Sequence, residues 1–568
     1  MSEASFTSEQ VRRSQTQGRE LEAVDDSAAA SGSVQRVVAW WRAVESRLAQ
    51  VSDLFNPILV KETRQALRST QFTLTFMLLL VACWMVTIGG VAMIGPSIFY
   101  AAGGAELLRA YYLVLSLPLL VVVPFAAFRS LAAEREDNTY ELLSITTLRP
   151  RQIIGGKLAS ALVQMTVYFS AIMPCLAFTY LLRGVDAPSI ALLLIYTFLA
   201  SLGLSMFGIL LATLSKQRFG HVLLSVAFLA LLLYNFAITQ ALAGELVRSG
   251  FELYALREFW VNAFFGVALF GSNLLLAYLA ATAMITLATE NRSTPLRIAL
   301  LVQQAVFIAW SAYFWIDIRF DNSAVLLLAQ LGAVYWFAMG SMLSGERPEM
   351  SRRAMRSLPQ NGVGRLFFTW LRPGPSSGFA FAVANLTMIL VLCLLATTLM
   401  TPPPRNMTVW PNPDRFFYVI VLGWSYVVLY LGLGCLVVAL LRKIAEVTMF
   451  ASVLLHLLLL LAGSGIPTSI HWMSLELQNE PYSYLQVTNP IWTLGYVLEF
   501  SPAPEEPVLL VLIPAAAVCA LMLNLPGLIR ELERSPTALP ARLIADEAEL
   551  HPPPESLPQN PWDDPQST

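Results

Sequence analysis

Residues 73–95 read Thr-Leu-Thr-Phe-Met-Leu-Leu-Leu-Val-Ala-Cys-Trp-Met-Val-Thr-Ile-Gly-Gly-Val-Ala-Met-Ile-Gly and contain no charged side chain. With about 1.5 Å of rise per residue, a helix over this run can cross the roughly 30 Å hydrocarbon core of a bilayer. Eleven further runs of the same kind follow, at 110–128, 158–182, 189–214, 219–243, 259–287, 298–316, 324–343, 379–400, 417–441, 447–466 and 507–529. They are continuously apolar, unlike the ten-residue alternating strands of a barrel, so helices that satisfy their own backbone groups in lipid are expected. Composition agrees: of 568 residues, 56% are hydrophobic and 13% charged, with a mean hydropathy of +0.61, against about 25% charged residues in soluble domains. The fold predicted is all-α, a polytopic membrane protein of about twelve transmembrane helices.

Charge placement sets the expected orientation. With the N-terminus inside, 29 of the 36 Lys and Arg fall on the inner side. The outer side holds Arg109, Arg183, Arg248, Arg257, Arg319, Arg405 and Arg415. That bias predicts an even number of spans with both termini cytoplasmic. The first 50 residues are polar and lack the charged-then-apolar pattern of a cleavable signal. Residues 1–54 read as a cytoplasmic, largely disordered tail, and 531–568 as a disordered Pro-rich cytoplasmic tail. A net charge of −2 offers no global field for nucleic acid. The five cysteines are unclustered and lie in apolar runs, which suits buried small hydrophobes better than disulfides or metal ligands.

The spans are as informative for what they lack. No Asp, Glu, Lys or Arg falls inside the twelve segments as drawn. Carriers driven by ion or proton gradients usually need such groups in the membrane. His456, alone in a leucine run, reads as a helix-packing residue, and Gly432-Leu433-Gly434 reads as close helix packing. His471 and Glu476, five apart in an outer loop, are poorly spaced for joint ligation and read as surface decoration. Gly155-Gly156-Lys157 is followed by Leu158 and lacks the spacing and hydroxyl of a phosphate-binding loop. The chain therefore carries no cofactor of its own and is not expected to be an enzyme. A drive supplied by another protein becomes the better idea.

Two inner segments stand apart from spans and ordinary loops. Before span 1, Asn56 can cap a helix with Pro57 in its first turn. Lys61, Arg64, Gln65 and Arg68 then share one face, suited to lying along the inner leaflet. Between spans 2 and 3, Asn138 followed by Glu141 has the form of a capping box, and the helix it starts must stop before Pro150. Tyr140, Leu142, Leu143 and Ile145 form an apolar ridge there, beside Glu134, Glu136, Asp137 and Glu141. Such a ridge suits docking in another protein's groove.

At these residues the sequence resembles the permease subunits of ATP-binding cassette (ABC) transporters of the ABC-2 type. That family shows Asn-Pro-(apolar)-x-Lys-Glu-x-Arg before its first span, matched by Asn56 to Arg64. After its second span it shows Glu-x-Glu-x-Gly-Thr-x-Glu-Leu-Leu, a Pro-containing turn and Gly-Lys. Here Glu134, Glu136, Thr139, Glu141, Leu142 and Leu143 are in register, and Gly156-Lys157 opens span 3. Asn138 stands where the family has Gly, and the proline comes late. The resemblance covers about 55–243. It implies an interfacial helix carrying Lys61, Arg64 and Arg68. It also implies a coupling helix carrying Glu134, Glu136, Thr139, Tyr140, Glu141, Leu142 and Leu143, docked on a separate ABC ATPase that holds ATP and Mg. The implied function is export across a bacterial inner (plasma) membrane, alongside membrane lipids and a second permease copy as a homodimer, with no nucleic acid.

The resulting organisation is a six-span permease core over 55–290, with its coupling loop at 132–157, and a second six-span region over 291–530. The second region is either accessory or a degenerate repeat. Its inner loop, about 344–376, carries Arg347, Arg352, Arg353, Arg356, Arg365 and Arg372 and reads as a topological anchor touching anionic lipid. Asn489-Pro490-Ile491-Trp492 sits where the family places short re-entrant outer helices. Two alternatives stand beside the permease: an ATP-independent carrier, and a membrane scaffold or assembly protein with no transport path.

Overall fold

The computed structural model of the chain describes residues 57–95, 103–137, 148–215, 218–287, 290–317, 322–347, 370–399, 413–474, 482–500 and 504–533, with 542 and 545. The N-terminal tail, residues Asn138 to Thr147 of the expected coupling helix, Glu476, most of the Arg-rich loop and most of the C-terminal tail lie outside them. Among the described residues there is no strand, and twelve helices are long and apolar enough to cross a membrane.

Spans 1 to 5 are Thr70–Ile94, Gly104–Glu136, Pro150–Leu181, Ala187–Ala212 and Arg218–Ala255. Spans 6 to 12 are Arg257–Ile285, Ser293–Asp317, Asn322–Leu343, Pro375–Leu399, Pro413–Leu441, Met449–Met473 and Glu506–Leu532. Two short helices accompany them, Pro57–Leu67 before span 1 and Pro490–Phe500 before span 12. The second is capped by Asn489, whose Oδ1 accepts the Trp492 N–H at 3.2 Å.

Packing divides the chain into two compact units, Met1–Arg257 and Glu258–Thr568. The division falls before span 6, whereas the sequence grouped that span with the first five. Only 6% of the apolar window of span 6 is buried, and its Asn273 accepts from Gln303 of span 7 at 2.8 Å.

In the first unit span 2 is the central helix, with 67% of its apolar window buried and spans 1, 3, 4 and 5 packed around it. Leu108, Tyr111, Leu115, Leu119, Phe128 and Leu131 form its buried stripe. A π turn at Pro118–Val122 interrupts it, because Pro118 and Pro124 supply no N–H to the ladder. Ser201 of span 4 donates to the Leu119 carbonyl at 2.5 Å and so occupies one acceptor there.

In the second unit span 10 has 50% of its window buried and contacts spans 8, 9, 11 and 12 and the helix Pro490–Phe500. Gly432 and Gly434 permit this: a Cβ at Gly432 would lie 2.9 Å from Ala520, and one at Gly434 2.2 Å from the His456 ring. His456 is fully buried and hydrogen-bonded to the Ser452 carbonyl at 2.7 Å. His471 differs from its surface reading: it is buried, with its ring 4.7 Å from that of Trp492. The short helix before span 12 covers it.

Candidate functional site

Helix Pro57–Leu67 presents Lys61, Arg64, Gln65 and Arg68 to the exterior and buries Ile58 and Glu62 on its other side. Ile58 rests on Gly156 of span 3, where an added Cβ would sit 2.8 Å from Ile58 Cγ2 and 3.1 Å from the Leu59 nitrogen. The missing side chain lets the two helices meet almost backbone to backbone. That approach sets Lys157, the next residue, under the short helix, where its side chain is 2% exposed.

Lys157 Nζ lies 3.2 Å from Glu62 Oε1 and 3.0 Å from Glu134 Oε2, and donates to Ser130 Oγ at 2.7 Å. Ser130 in turn donates to Glu62 Oε2 at 3.1 Å. The ammonium therefore donates to one oxygen of the short helix and one of span 2, and pairs with the Glu134 carboxylate of span 2 as an ion contact. Two carboxylates around one ammonium leave a negative excess, and Lys61 stands 4.0 Å from Glu62 and 3.9 Å from Glu134. Removing one partner of such a buried cluster strands the other charges, at a typical cost of about 3–5 kcal/mol. A cavity of about 570 Å³ opens beside it, walled by Glu62, Glu134, Lys157 and Gln164 on one side and by Phe72 and Ala127 among its apolar members.

Glu134 and Glu136 belong to the end of span 2, not to a separate loop helix. Three successive side chains there reach three elements. Glu134 meets span 3 through Lys157, Arg135 donates to the carbonyls of Thr213 at 2.8 Å and Ser215 at 3.4 Å after span 4, and Glu136 lies 3.4 Å from His221 Nδ1 of span 5. The end of span 2 is thus a hub for the same end of the whole unit. Of the sequence-derived positions, Lys61, Glu62, Glu134 and Lys157 come together; Arg64 and Arg68 stay on the exposed face; Thr139, Tyr140, Glu141, Leu142 and Leu143 lie outside the described residues.

The second unit contains a cluster that sequence reasoning missed. Arg297, fully buried in span 7, donates to Glu346 Oε2 at 2.6 Å, to the Trp370 and Gly374 carbonyls at 2.8 and 3.2 Å, and to Ser377 Oγ at 3.2 Å. Glu346 also accepts from Gly374 N at 2.8 Å and from Ser293 Oγ at 2.5 Å. Arg442 donates to the Glu346 and Ser344 carbonyls at 2.6 and 3.1 Å. Glu531, at the end of span 12, accepts from the Ser376 and Ser377 nitrogens at 3.2 and 2.8 Å, capping span 9. Arg297 stood one residue before the apolar run drawn from 298, and that adjacency was the available signal.

Comparison with known proteins returns no matching family model, no curated relative and no similar solved structure.

Proposed function

We propose that the chain is the membrane-spanning permease subunit of an ABC transporter of the ABC-2 type, exporting substrate with energy from a separate cytoplasmic ATPase that binds ATP and Mg. The observation that carries the reading is the Lys157 cluster. The positions on which the resemblance rests, Glu62, Glu134 and Gly156-Lys157, are far apart in sequence yet share one buried ion network. That network ties the amphipathic helix to both stems of the segment 138–147. A pull on that segment by a nucleotide-driven partner would reach spans 1, 2 and 3 together, and spans 4 and 5 through Arg135 and Glu136, as a rigid-body switch.

Spans 7–11 are read as a degenerate copy of spans 1–5, with span 12, which packs on spans 9 and 10, as an addition; span 6 falls outside the first unit. What supports this is the neighbour pattern inside each unit. Span 2 packs on 1, 3, 4 and 5, with 3 on 4 and 4 on 5; span 8 packs on 7, 9, 10 and 11, with 9 on 10 and 10 on 11.

The test is purification of the full-length protein from its native membrane and identification of copurifying chains. An ATPase subunit is expected, with its association lost on Tyr140→Ala together with Leu143→Ala and its coupled activity lost on Lys157→Met. Transport that follows an ion gradient without nucleotide would overturn the proposal in favour of a carrier. A folded protein without any ATPase partner or transport would favour a scaffold.

A further inference from the structure

We infer that a cavity of about 530 Å³ in the second unit is a binding site for one hydrocarbon chain of a membrane lipid. It lies among spans 8, 9, 10 and 11, lined by Ala333, Phe337, Ile389, Gly423, Val427 and Leu460, and is bounded at one end by Pro490 and Leu494 of the short helix. This inference does not rest on the transporter reading.

Three features define the occupant. Apart from Gln330, on the exposed face of span 8, the polar side chains of the wall are engaged elsewhere: Trp424 Nε1 donates to Thr387 Oγ1 at 3.0 Å, Tyr426 to the Val487 carbonyl at 2.6 Å and Tyr430 to the Thr488 carbonyl at 2.5 Å. Water, which needs two to four polar partners, finds few here, so the guest is apolar. The space is built, not a general looseness of span 10. A Cβ at Gly423 would meet nothing within 4 Å, while Cβ atoms at Gly432 and Gly434 on the same helix would collide with Ala520 and His456. The volume falls in the roughly 300–1,000 Å³ range of ligand sites. The walls are apolar faces of membrane-crossing helices, and lipid tails are the apolar molecules that surround such helices. Gln330, a lining side chain on the exposed face of span 8, supplies a polar group near which a headgroup can stand.

The test uses the full-length protein in nanodiscs of phosphatidylcholine doped with an analogue carrying a diazirine midway along one acyl chain. After photolysis, label is located by peptide mass spectrometry. The expected result is label on Leu386 and Ile420, which line this cavity, are only 3% and 4% exposed and so are shielded from annular lipid. Gly423→Leu places its side chain where a Cβ meets nothing within 4 Å and should cut that label at least tenfold, with label on lipid-facing Val511 and Val222 unchanged. Ala333→Leu narrows the same cavity from span 8 and serves if the first variant loses its fold. Label confined to exposed residues such as Val511, or label on Leu386 and Ile420 unaffected by both variants, would overturn the proposal.

Discussion

Both units bury a cation at one end of their helices: in the first it joins the short helix before span 1 to the end of span 2 and the start of span 3, and in the second it joins the start of span 7 to the segment after span 8 and the start of span 9. The construction differs. In the first unit the cation is Lys157 on the third span, and its partners Glu62, Glu134 and Ser130 are all side chains. In the second it is Arg297 on span 7, whose fork holds Glu346, Ser377 and two backbone carbonyls, while Glu346 holds the Gly374 N–H. A compact ammonium among rotatable side chains can exchange partners, whereas a planar guanidinium locked to main chain cannot. The first cluster also borders a cavity and the exposed Lys61, while Arg297 is fully buried. The difference gives the first unit's end contacts between side chains that can rearrange and the second's end a staple fixed to main chain.

The sharpest way to break this contrast is at Arg297. Arg297→Met leaves Glu346 charged and buried and releases the Trp370 and Gly374 carbonyls, so a loss of about 4–5 kcal/mol is expected. Arg297→Lys should recover little, because an ammonium cannot reproduce the fork. Adding Glu346→Gln should recover little as well, since the carbonyls stay unpaired. Denaturant or thermal unfolding of the purified protein measures each; full recovery in the double variant would erase the distinction between the two clusters.

Lys157→Met should cost about 3 kcal/mol, less than Arg297→Met because Glu62 and Glu134 keep some contact with solvent. Here the combined Lys157→Met, Glu62→Gln and Glu134→Gln variant should regain most of the loss, as expected when a side-chain cluster is removed whole. Strictly additive losses in the same unfolding measurement would show that the side chains do not act as one network.

A smaller effect is expected at the helix contact beneath the cluster. Gly156→Ala drives a Cβ into Ile58 and should cost about 1–3 kcal/mol, with Ile58→Ala in the same chain restoring part of it. Absence of that rescue would mean that the short helix does not rest on span 3 as described.

How much of this was legible in the sequence follows from the same residues. The twelve apolar runs announced the twelve helices, because burial in lipid demands a hydropathy that a single sequence displays. The helix Pro57–Leu67 and its exposed basic face followed from periodicity and from Pro57. The buried clusters did not follow from either. A span drawn until its first charge stops at Leu158 or Ile298 and leaves Lys157 and Arg297 in supposed loops, yet both are interior residues of longer helices. Their partners, Glu62 and Glu346, lie far off in sequence, and pairing over that distance leaves no local periodicity. His471 was misread for a related reason: the element that covers it, Pro490–Phe500, packs back from nineteen residues away or more.

The smallest expected effect on stability is at the exposed face, and it separates folding from coupling. Lys61 is 60% exposed and lies 3.9–4.0 Å from its carboxylates, the geometry of surface pairs that contribute about 0–1 kcal/mol. Lys61→Ala with Arg64→Ala and Arg68→Ala should therefore shift the unfolding midpoint little. If the basic face rests on an anionic leaflet, each charge contributes about 1 kcal/mol to that association. Partner-dependent ATP hydrolysis in liposomes should then respond to phosphatidylglycerol in the wild type and lose that response in the triple variant. Equal responses would place the basic face outside the coupling path and leave that path to the Lys157 cluster and the Ile58–Gly156 contact.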